Sequence, residues 1–291
     1  MTGGREHSLM RAAVLGVPWL WLSAFILLPF SIVVAISLSV ATDAQPPYVF
    51  GPELDNYRLI VEDTLYLAAL GNAIRIAATS SVVCLFIGYP MAYAIARAQP
   101  RWRGPLLALV ILPFWTSFLI RIYAWMTLLR PTGLINQVLI DLGIIDAPLQ
   151  LMNNAFAVHL GIIYAYLPFM ILPLYASIER LDPSLLEAAA DLGSRPWRRF
   201  LSVTLPLTLP GIVAGTLLVF VPAVGEFVIP ELLGGPDTPM IGRLLWTEFF
   251  NNRDWPVAAS IAVALTALLV VPVAILQHML APREEAREVN P

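Results

Sequence analysis

The chain has 291 residues, of which 58% are hydrophobic and only 13% are charged, and its mean hydropathy is +0.76. Soluble globular domains carry about 25% charged residues, so this composition excludes an ordinary soluble domain and indicates an integral membrane protein. All 17 basic residues are arginine, and a chain without lysine can form neither a P-loop, nor a Schiff-base lysine, nor a Ser-x-x-Lys catalytic pair.

Six apolar stretches predict an all-α integral membrane protein, because each is near or above the roughly 20 residues that cross a bilayer. The first stretch follows Arg5 and Arg11, as the apolar region of a signal peptide follows basic residues. It is longer than the roughly 7–15 residues of a cleavable apolar region, which favours a retained span. The predicted spans, within one transmembrane domain of residues 12–282, are residues 13–41, 70–96, 104–129, 153–178, 205–227 and 257–281.

The arginines predict which ends of the spans face the cytoplasm. Cytoplasmic loops are rich in basic residues, and most of the arginines fall in the two termini and in the loops after the second and fourth spans. Both termini, residues 1–11 and 283–291, are therefore predicted to be cytoplasmic. The opposite loops are rich in aspartate and glutamate. Their negative field would concentrate cations, although acidic outer loops also simply complement the bias of the arginines.

A charged, alanine-rich stretch, "LEAAADLGSRPWRRFLSVTLPLTLPG", separates the fourth and fifth spans. Asp182-Pro183 is a strong helix start and Gly193 a strong stop. Together they predict a helix from Pro183 to Leu192, about 15 Å long and too short to span. Two interpretations are open: an amphipathic loop that lies among lipid headgroups, or a docking element for a cytoplasmic partner. One face of this helix carries Leu185, Ala188, Ala189 and Leu192.

The spacing within this stretch resembles the EAA-x3-G-x9-I-x-LP loop of binding-protein-dependent ABC transporter permeases. Val203 stands where isoleucine is usual, and the residues that match the pattern are Glu187, Ala188, Ala189, Gly193, Leu205 and Pro206. The resemblance implies the MetI-like, type I ABC importer permease fold with six transmembrane helices. It also implies that the loop of residues 179–204 couples the protein to an ATPase, with Glu187 and Ala189 making the docking contacts and Gly193 allowing the turn.

The same resemblance implies a set of partners in the bilayer of the bacterial inner membrane. These are a second homologous permease subunit, two ATP-binding cassette ATPase subunits and a periplasmic substrate-binding protein, with no nucleic acid. The absence of lysine agrees with this assembly, because the nucleotide must then be bound by another subunit.

The segment of residues 225–256, "GEFVIPELLGGPDTPMIGRLLWTEFFNNRDWP", resembles the corresponding loop of the polyamine branch, which carries putrescine or spermidine. Carboxylates beside aromatic rings suit alkylammonium groups, because ion pairing and cation–π contacts add together. The alternative is that this loop docks the binding protein and that its aromatic residues form an interface belt. The candidates for either role are Glu226, Asp237, Trp246, Glu248, Asp254 and Trp255.

Other functions stay open on the residues themselves. Related permeases for iron, thiamine or another small solute share the EAA loop. A secondary carrier needs ionisable mid-membrane residues and internal repeats, and an intramembrane enzyme needs a serine, zinc or paired-aspartate motif; the sequence shows none of these clearly. We therefore expect no catalytic residue, no metal and no cofactor. Arg121, within the third predicted span, needs a partner, for which Asp141 or a residue of the second permease are candidates.

Overall fold

The computed structural model describes residues 14–280, which form helices and one short hairpin. The predicted cytoplasmic termini, residues 1–11 and 283–291, lie outside the described residues. In chain order the helices are α1 Val14–Ser37, α2 Asp55–Glu62, α3 Thr64–Arg97, α4 Pro100–Ile111, α5 Phe118–Leu129, α6 Leu134–Asp141, α7 Ala155–Glu179, α8 Pro183–Asp191, α9 Pro196–Arg199, α10 Leu209–Val224, α11 Val228–Leu233, α12 Ile241–Trp246 and α13 Trp255–Leu280.

Four of the described helices are long and apolar enough to cross a membrane: α1, α3, α7 and residues Trp255–Ile275 of α13. Two further spans are bent. Residues Pro100–Trp115 and Phe118–Asp141 meet at 86°, and residues Pro196–Leu207 and Leu209–Val224 meet at 65°. With each bent pair counted as one span, the protein has the six membrane helices that the sequence predicted.

Proline chemistry accounts for where these two spans bend. Pro113 lies in a 3-10 turn, Leu112–Trp115, after which the backbone of Thr116 and Ser117 is extended. The second bend lies at Thr208, between Pro206 and Pro210. Proline removes one backbone hydrogen bond and crowds the preceding turn. Pro90, Pro168 and Pro173 stay inside continuous helices, so proline alone did not predict which spans bend.

The chain divides into two compact units, of which the first contains the described residues up to Thr64 and from Leu245 onward. Here α1 packs along α13, and a short hairpin, β1 Val40–Ala41 with β2 Tyr48–Val49, follows α1. Hydrogen bonds from α13 and α2 hold the C-terminal end of α1. The Ser260 hydroxyl of α13 donates to the Ser37 carbonyl at 3.0 Å, and the Asn56 amide of α2 donates to the same carbonyl, also at 3.0 Å.

The second unit, residues 65–244, has its core between α3, α7 and α10. Two glycines of α10 allow its backbone to lie against α7. A Cβ atom on Gly211 would lie 2.5 Å from the Cβ of Ser177, and one on Gly215 would lie 2.8 Å from the sulfur of Met170. The buried side chains of this core include Cys84, Tyr89, Ala92, Met170, Ile171, Leu174 and Val219.

Candidate functional site

The stretch after α7 folds into the short helix that the sequence predicted, one residue shorter at its end. The Asp182 carboxylate accepts a hydrogen bond from the Ser184 backbone N–H at 2.9 Å and so caps the start of α8. Hydrogen bonds from the backbone and the hydroxyl of Ser184 hold the pKa of Asp182 below its ordinary value. At the other end Gly193 has a φ of 76°, and its N–H donates to the Ala190 carbonyl. The predicted cap and turn are therefore confirmed.

The apolar face of α8 is largely uncovered in this chain. Leu192 is 88% exposed and Leu185 is 45% exposed. Glu187 and Ala188 are also exposed, whereas Ala189 is half-buried. Exposed apolar residues on a rigid helix suit contact with another surface, whether protein or lipid. The structure thus leaves both interpretations of this helix in place and shows that its contact face is available.

The rest of this loop connects α8 to α10 through the bend at Thr208. Residues of α9 continue as a π-helical turn, Phe200–Thr204, into the Leu205–Leu207 turn that contains Pro206. The Thr208 hydroxyl donates to the Thr204 carbonyl at 2.8 Å and lies 2.9 Å from the Tyr89 hydroxyl of α3. The ring of Tyr89 also meets that of Phe200 edge to face, with centroids 5.5 Å apart. The loop is therefore attached to the core at its bend.

Glu226 follows α10 and is 8% exposed. One carboxylate oxygen accepts a hydrogen bond from the Tyr166 hydroxyl of α7 at 2.5 Å. The other accepts from the backbone N–H of Val228 at 3.0 Å and, at 3.4 Å, from that of Ile229. These donors hold the carboxylate in one orientation, and none of them is a basic side chain.

The carboxylate of Glu226 lines a cavity of about 420 Å³ that also holds Arg121. The guanidinium of Arg121 lies over the ring of Phe114 at 5.1 Å and over the ring of Phe118 at 5.7 Å. Its Nε and Nη1 atoms are buried and have no hydrogen-bond partner among the described residues. Asp141, a partner that the sequence suggested, makes no ion pair with it. The aromatic wall is completed by Phe169, whose ring meets that of Phe114 edge to face.

A second cavity, of about 800 Å³, lies within the other unit, between residues 41–47 and residues 249–255. The rings of Phe249 and Trp255 stack there with centroids 5.1 Å apart. Trp246 packs on Phe250.

The Asp254 carboxylate caps α13 by accepting from the Val257 N–H at 3.1 Å. Glu248 accepts from the side chain of Asn252.

The structure therefore places the six candidate residues of segment 225–256 in different parts of the molecule. Glu226 lines the smaller cavity, Asp237 is exposed, and the remaining four belong to the other unit. Sequence reasoning did not identify Tyr166, Phe114, Phe118 or Phe169 as companions of Glu226. Their only sequence signal was the spacing of Phe114, Phe118 and Arg121 along one predicted span. A helix face that carries aromatic residues is common in membrane proteins, so that spacing did not indicate a site.

Comparison with known proteins gives a consistent result across the chain. The model of the family described as "binding-protein-dependent transport system inner membrane component" matches residues 9–285. The chain is 43% identical over 251 residues to the spermidine/putrescine transport system permease protein PotB of Haemophilus influenzae, across 86% of this chain and 87% of that protein. It is 42% identical over 250 residues to PotB of Escherichia coli strain K12, across 86% and 90% of the two chains.

Solved structures show the same fold at lower identity. A chain of a bacterial ABC transporter involved in the import of the acidic polysaccharide alginate matches with a TM-score of 0.66 at 20% identity, across 94% of this chain and 96% of that chain. A second structure, of bacterial alginate ABC transporter in complex with alginate pentasaccharide-bound periplasmic protein, matches with a TM-score of 0.67 at 19% identity, across 94% of both chains. At this identity the likeness concerns the fold alone.

Proposed function

The chain belongs to the family of binding-protein-dependent transport system inner membrane components, and from this premise we propose that it is a permease subunit of an ATP-driven importer of polyamines, putrescine and/or spermidine. It is a multi-pass membrane transport subunit and not an enzyme. The observation that carries the choice of substrate is the 43% identity, over 86% of the chain, with a spermidine/putrescine permease.

We propose that the chain works with a second homologous permease, two ATP-binding cassette ATPases and a periplasmic substrate-binding protein. The lack of lysine supports the need for separate ATPases, because a P-loop requires one. The distribution of arginines supports cytoplasmic termini. Single-cysteine labelling tests this orientation, because the chain has one natural cysteine, Cys84, and it is buried. Cysteines placed at Ser194 and at Asp43 should react from opposite sides of the membrane.

The coupling role falls to the loop that contains α8. The helix of this loop is capped at its start, most of its side chains are exposed, and the chain that follows it is hydrogen-bonded to the core at Thr208. Such an element can transmit a rigid-body displacement from an ATPase to the spans. We therefore assign Glu187, Ala188 and Ala189 to the docking face and Gly193 to the turn. Leu205 and Pro206 would then lie on the segment that leads to the bend at Thr208.

We assign the cavity that contains Glu226 to the substrate path. A carboxylate among aromatic rings offers an alkylammonium group both an ion pair and cation–π contacts, the latter worth about 0.5–2 kcal/mol. A buried carboxylate at the end of a membrane span, as Glu226 is, is costly unless it serves such a function. For the exposed Asp237, and for Trp246, Glu248, Asp254 and Trp255, we propose contact with the binding protein. The open cavity and stacked rings beside these four support that role.

Reconstitution tests the proposed function directly. The chain is co-purified with the second permease and the ATPases and inserted in proteoliposomes. It should import putrescine or spermidine only when ATP is on the side of the ATPases and the loaded binding protein is on the opposite side. Thiamine and ferric iron serve as the comparison substrates. Uptake of either of these, with none of putrescine or spermidine, would overturn the proposed substrate while leaving the family assignment in place.

A further inference from the structure

The cavity that contains Glu226 has a charge composition that its proposed role does not explain. Among the described residues that line it, Glu226 supplies one carboxylate and Arg121 supplies one guanidinium. Polyamines are cations, and a passage designed only to attract them would not place a permanent positive charge beside the attracting carboxylate. Arginine stays protonated in proteins, so its charge is always present.

The contacts of Arg121 show that it is not held as part of a structural ion pair. Its guanidinium lies over the rings of Phe114 and Phe118, at 5.1 and 5.7 Å, so it occupies cation–π positions of the cavity itself. Two of its nitrogens are buried without a partner in the part of the chain that the structure describes. Glu226, in contrast, has its donors from Tyr166 and the start of α11. The two opposite charges thus share one cavity without bonding to each other.

We propose that Arg121 sets the affinity of this cavity for its cationic substrate by cancelling the charge of Glu226, so that the substrate binds transiently and is released. A transport site must bind its ion well enough to admit it and weakly enough to let it go. Glu226 provides the attraction, and Arg121 limits it by repulsion and by occupying the faces of Phe114 and Phe118. This inference rests on the proposed function, since it assumes a cationic substrate.

The proposal predicts opposite effects for the two charged residues. Arg121→Gln leaves the carboxylate unopposed, so the affinity for putrescine should rise about tenfold while the turnover of uptake falls because release is slower. Glu226→Gln leaves the guanidinium unopposed, so the affinity should fall about tenfold or more. The double variant restores a neutral cavity and should bind putrescine more tightly than Glu226→Gln and more weakly than Arg121→Gln.

The experiment measures two quantities on the complete complex. Equilibrium binding of radiolabelled putrescine in detergent, without the binding protein, reports affinity, and uptake into proteoliposomes reports KM and kcat. Arg121→Lys keeps the charge and should keep the wild-type affinity. Arg75→Gln removes a charge from an exposed position outside the cavity lining and is the matched control. Co-purification of the partner subunits shows which variants fold, and the double variant tests the same charge balance if Arg121→Gln does not assemble.

The outcomes separate this inference from the function on which it rests. Tighter binding by Arg121→Gln, together with intermediate binding by the double variant, supports the proposal. An affinity of Arg121→Gln that stays within about twofold of wild type, or that falls, overturns it while putrescine transport stands. A wild-type complex that binds and imports neither putrescine nor spermidine overturns the proposed function and this inference with it; if it takes only spermidine, the same binding and uptake measurements are made with spermidine.

Discussion

The coupling loop and the cavity around Glu226 lie at opposite ends of one helix, α10, and they are built in contrasting ways. The loop precedes α10 and turns at Thr208, while Glu226 comes two residues after the helix ends. Most side chains of α8 are exposed and its hydrogen bonds are local, as at Asp182 and Gly193. The cavity is assembled from three distant segments, and of its polar residues Glu226 is buried while Arg121 and Tyr166 are half-buried.

This contrast fits the two different roles that we propose for these regions of one subunit. An element that must dock on another protein keeps its own shape and leaves its face uncovered. A site that must hold and release a small ion needs groups brought together from several helices, so that a relative movement of those helices changes the site. Because α10 joins the two regions, the proposed coupling role implies that a movement of the loop would reach the cavity through that helix.

The largest effect should come from breaking the turn of the loop. Gly193→Val places a β-branched residue at a φ of 76°, where glycine is favoured. No atom lies within 4 Å of the added Cβ, so the strain comes from the backbone alone. We expect cells that carry this variant to lose polyamine uptake, although the variant protein is inserted in the membrane normally. Gly193→Asn, which tolerates this conformation better, should keep most of the uptake. If Gly193→Val transports normally, the turn does not orient the coupling helix.

The same contrast explains how much could be predicted from the sequence. Asp182, Pro183 and Gly193 act on neighbouring residues, so the local sequence predicted the helix between them to within one residue. The cavity depends on contacts between residues far apart, such as Tyr166 and Glu226, whose separation of 60 positions leaves no local pattern. The bend at Thr116 and Ser117, which separates Phe114 from Phe118 in the cavity wall, was also not predicted.

The helix that joins the two regions should be the next most sensitive. Gly211→Ala would place a Cβ 2.5 Å from the Cβ of Ser177 and 2.9 Å from the Pro173 carbonyl oxygen. Such overpacking costs about 1–3 kcal/mol, so the thermal stability of the purified subunit should fall. Gly71→Ala is the matched control. Gly71 also lies within a helix, α3, and a Cβ atom added there has nothing within 4 Å. This control should be neutral or stabilising by about 0.5–1 kcal/mol. Equal melting temperatures for the two variants would contradict close packing of α7 and α10.

A smaller effect is expected where the loop is attached to the core. Tyr89→Phe removes the hydroxyl that lies 2.9 Å from the Thr208 hydroxyl and leaves the ring against Phe200. A hydrogen bond of this kind contributes about 1 kcal/mol. We expect ATP hydrolysis to continue while more ATP is used for each putrescine imported, by roughly two- to fivefold. Tyr93→Phe, on the same helix, serves as the control. An unchanged ratio of ATP to substrate would show that this bond does not take part in coupling.

The smallest effect should come from the cap of the coupling helix, and it carries a pH dependence whose sign is defined. The ionised Asp182 accepts from Ser184, which lowers the pKa of Asp182 below its ordinary value of 3.8. The contribution of the cap is therefore complete above the unfolded pKa and is lost as the pH falls through the lower, folded pKa. At neutral pH the cap is intact.

Asp182→Ala should increase hydrogen exchange at the amides of residues 184–187, whereas Asp182→Asn, which can still accept the bond, should change it little. Below the folded pKa, protonation weakens the cap, so the exchange of wild type should approach that of Asp182→Ala once intrinsic rates are corrected. If the two proteins exchange alike already at pH 7, the capping bond contributes nothing to the rigidity of the loop, and the rigid-body coupling proposed for it must come from Gly193 and the contacts of Thr208.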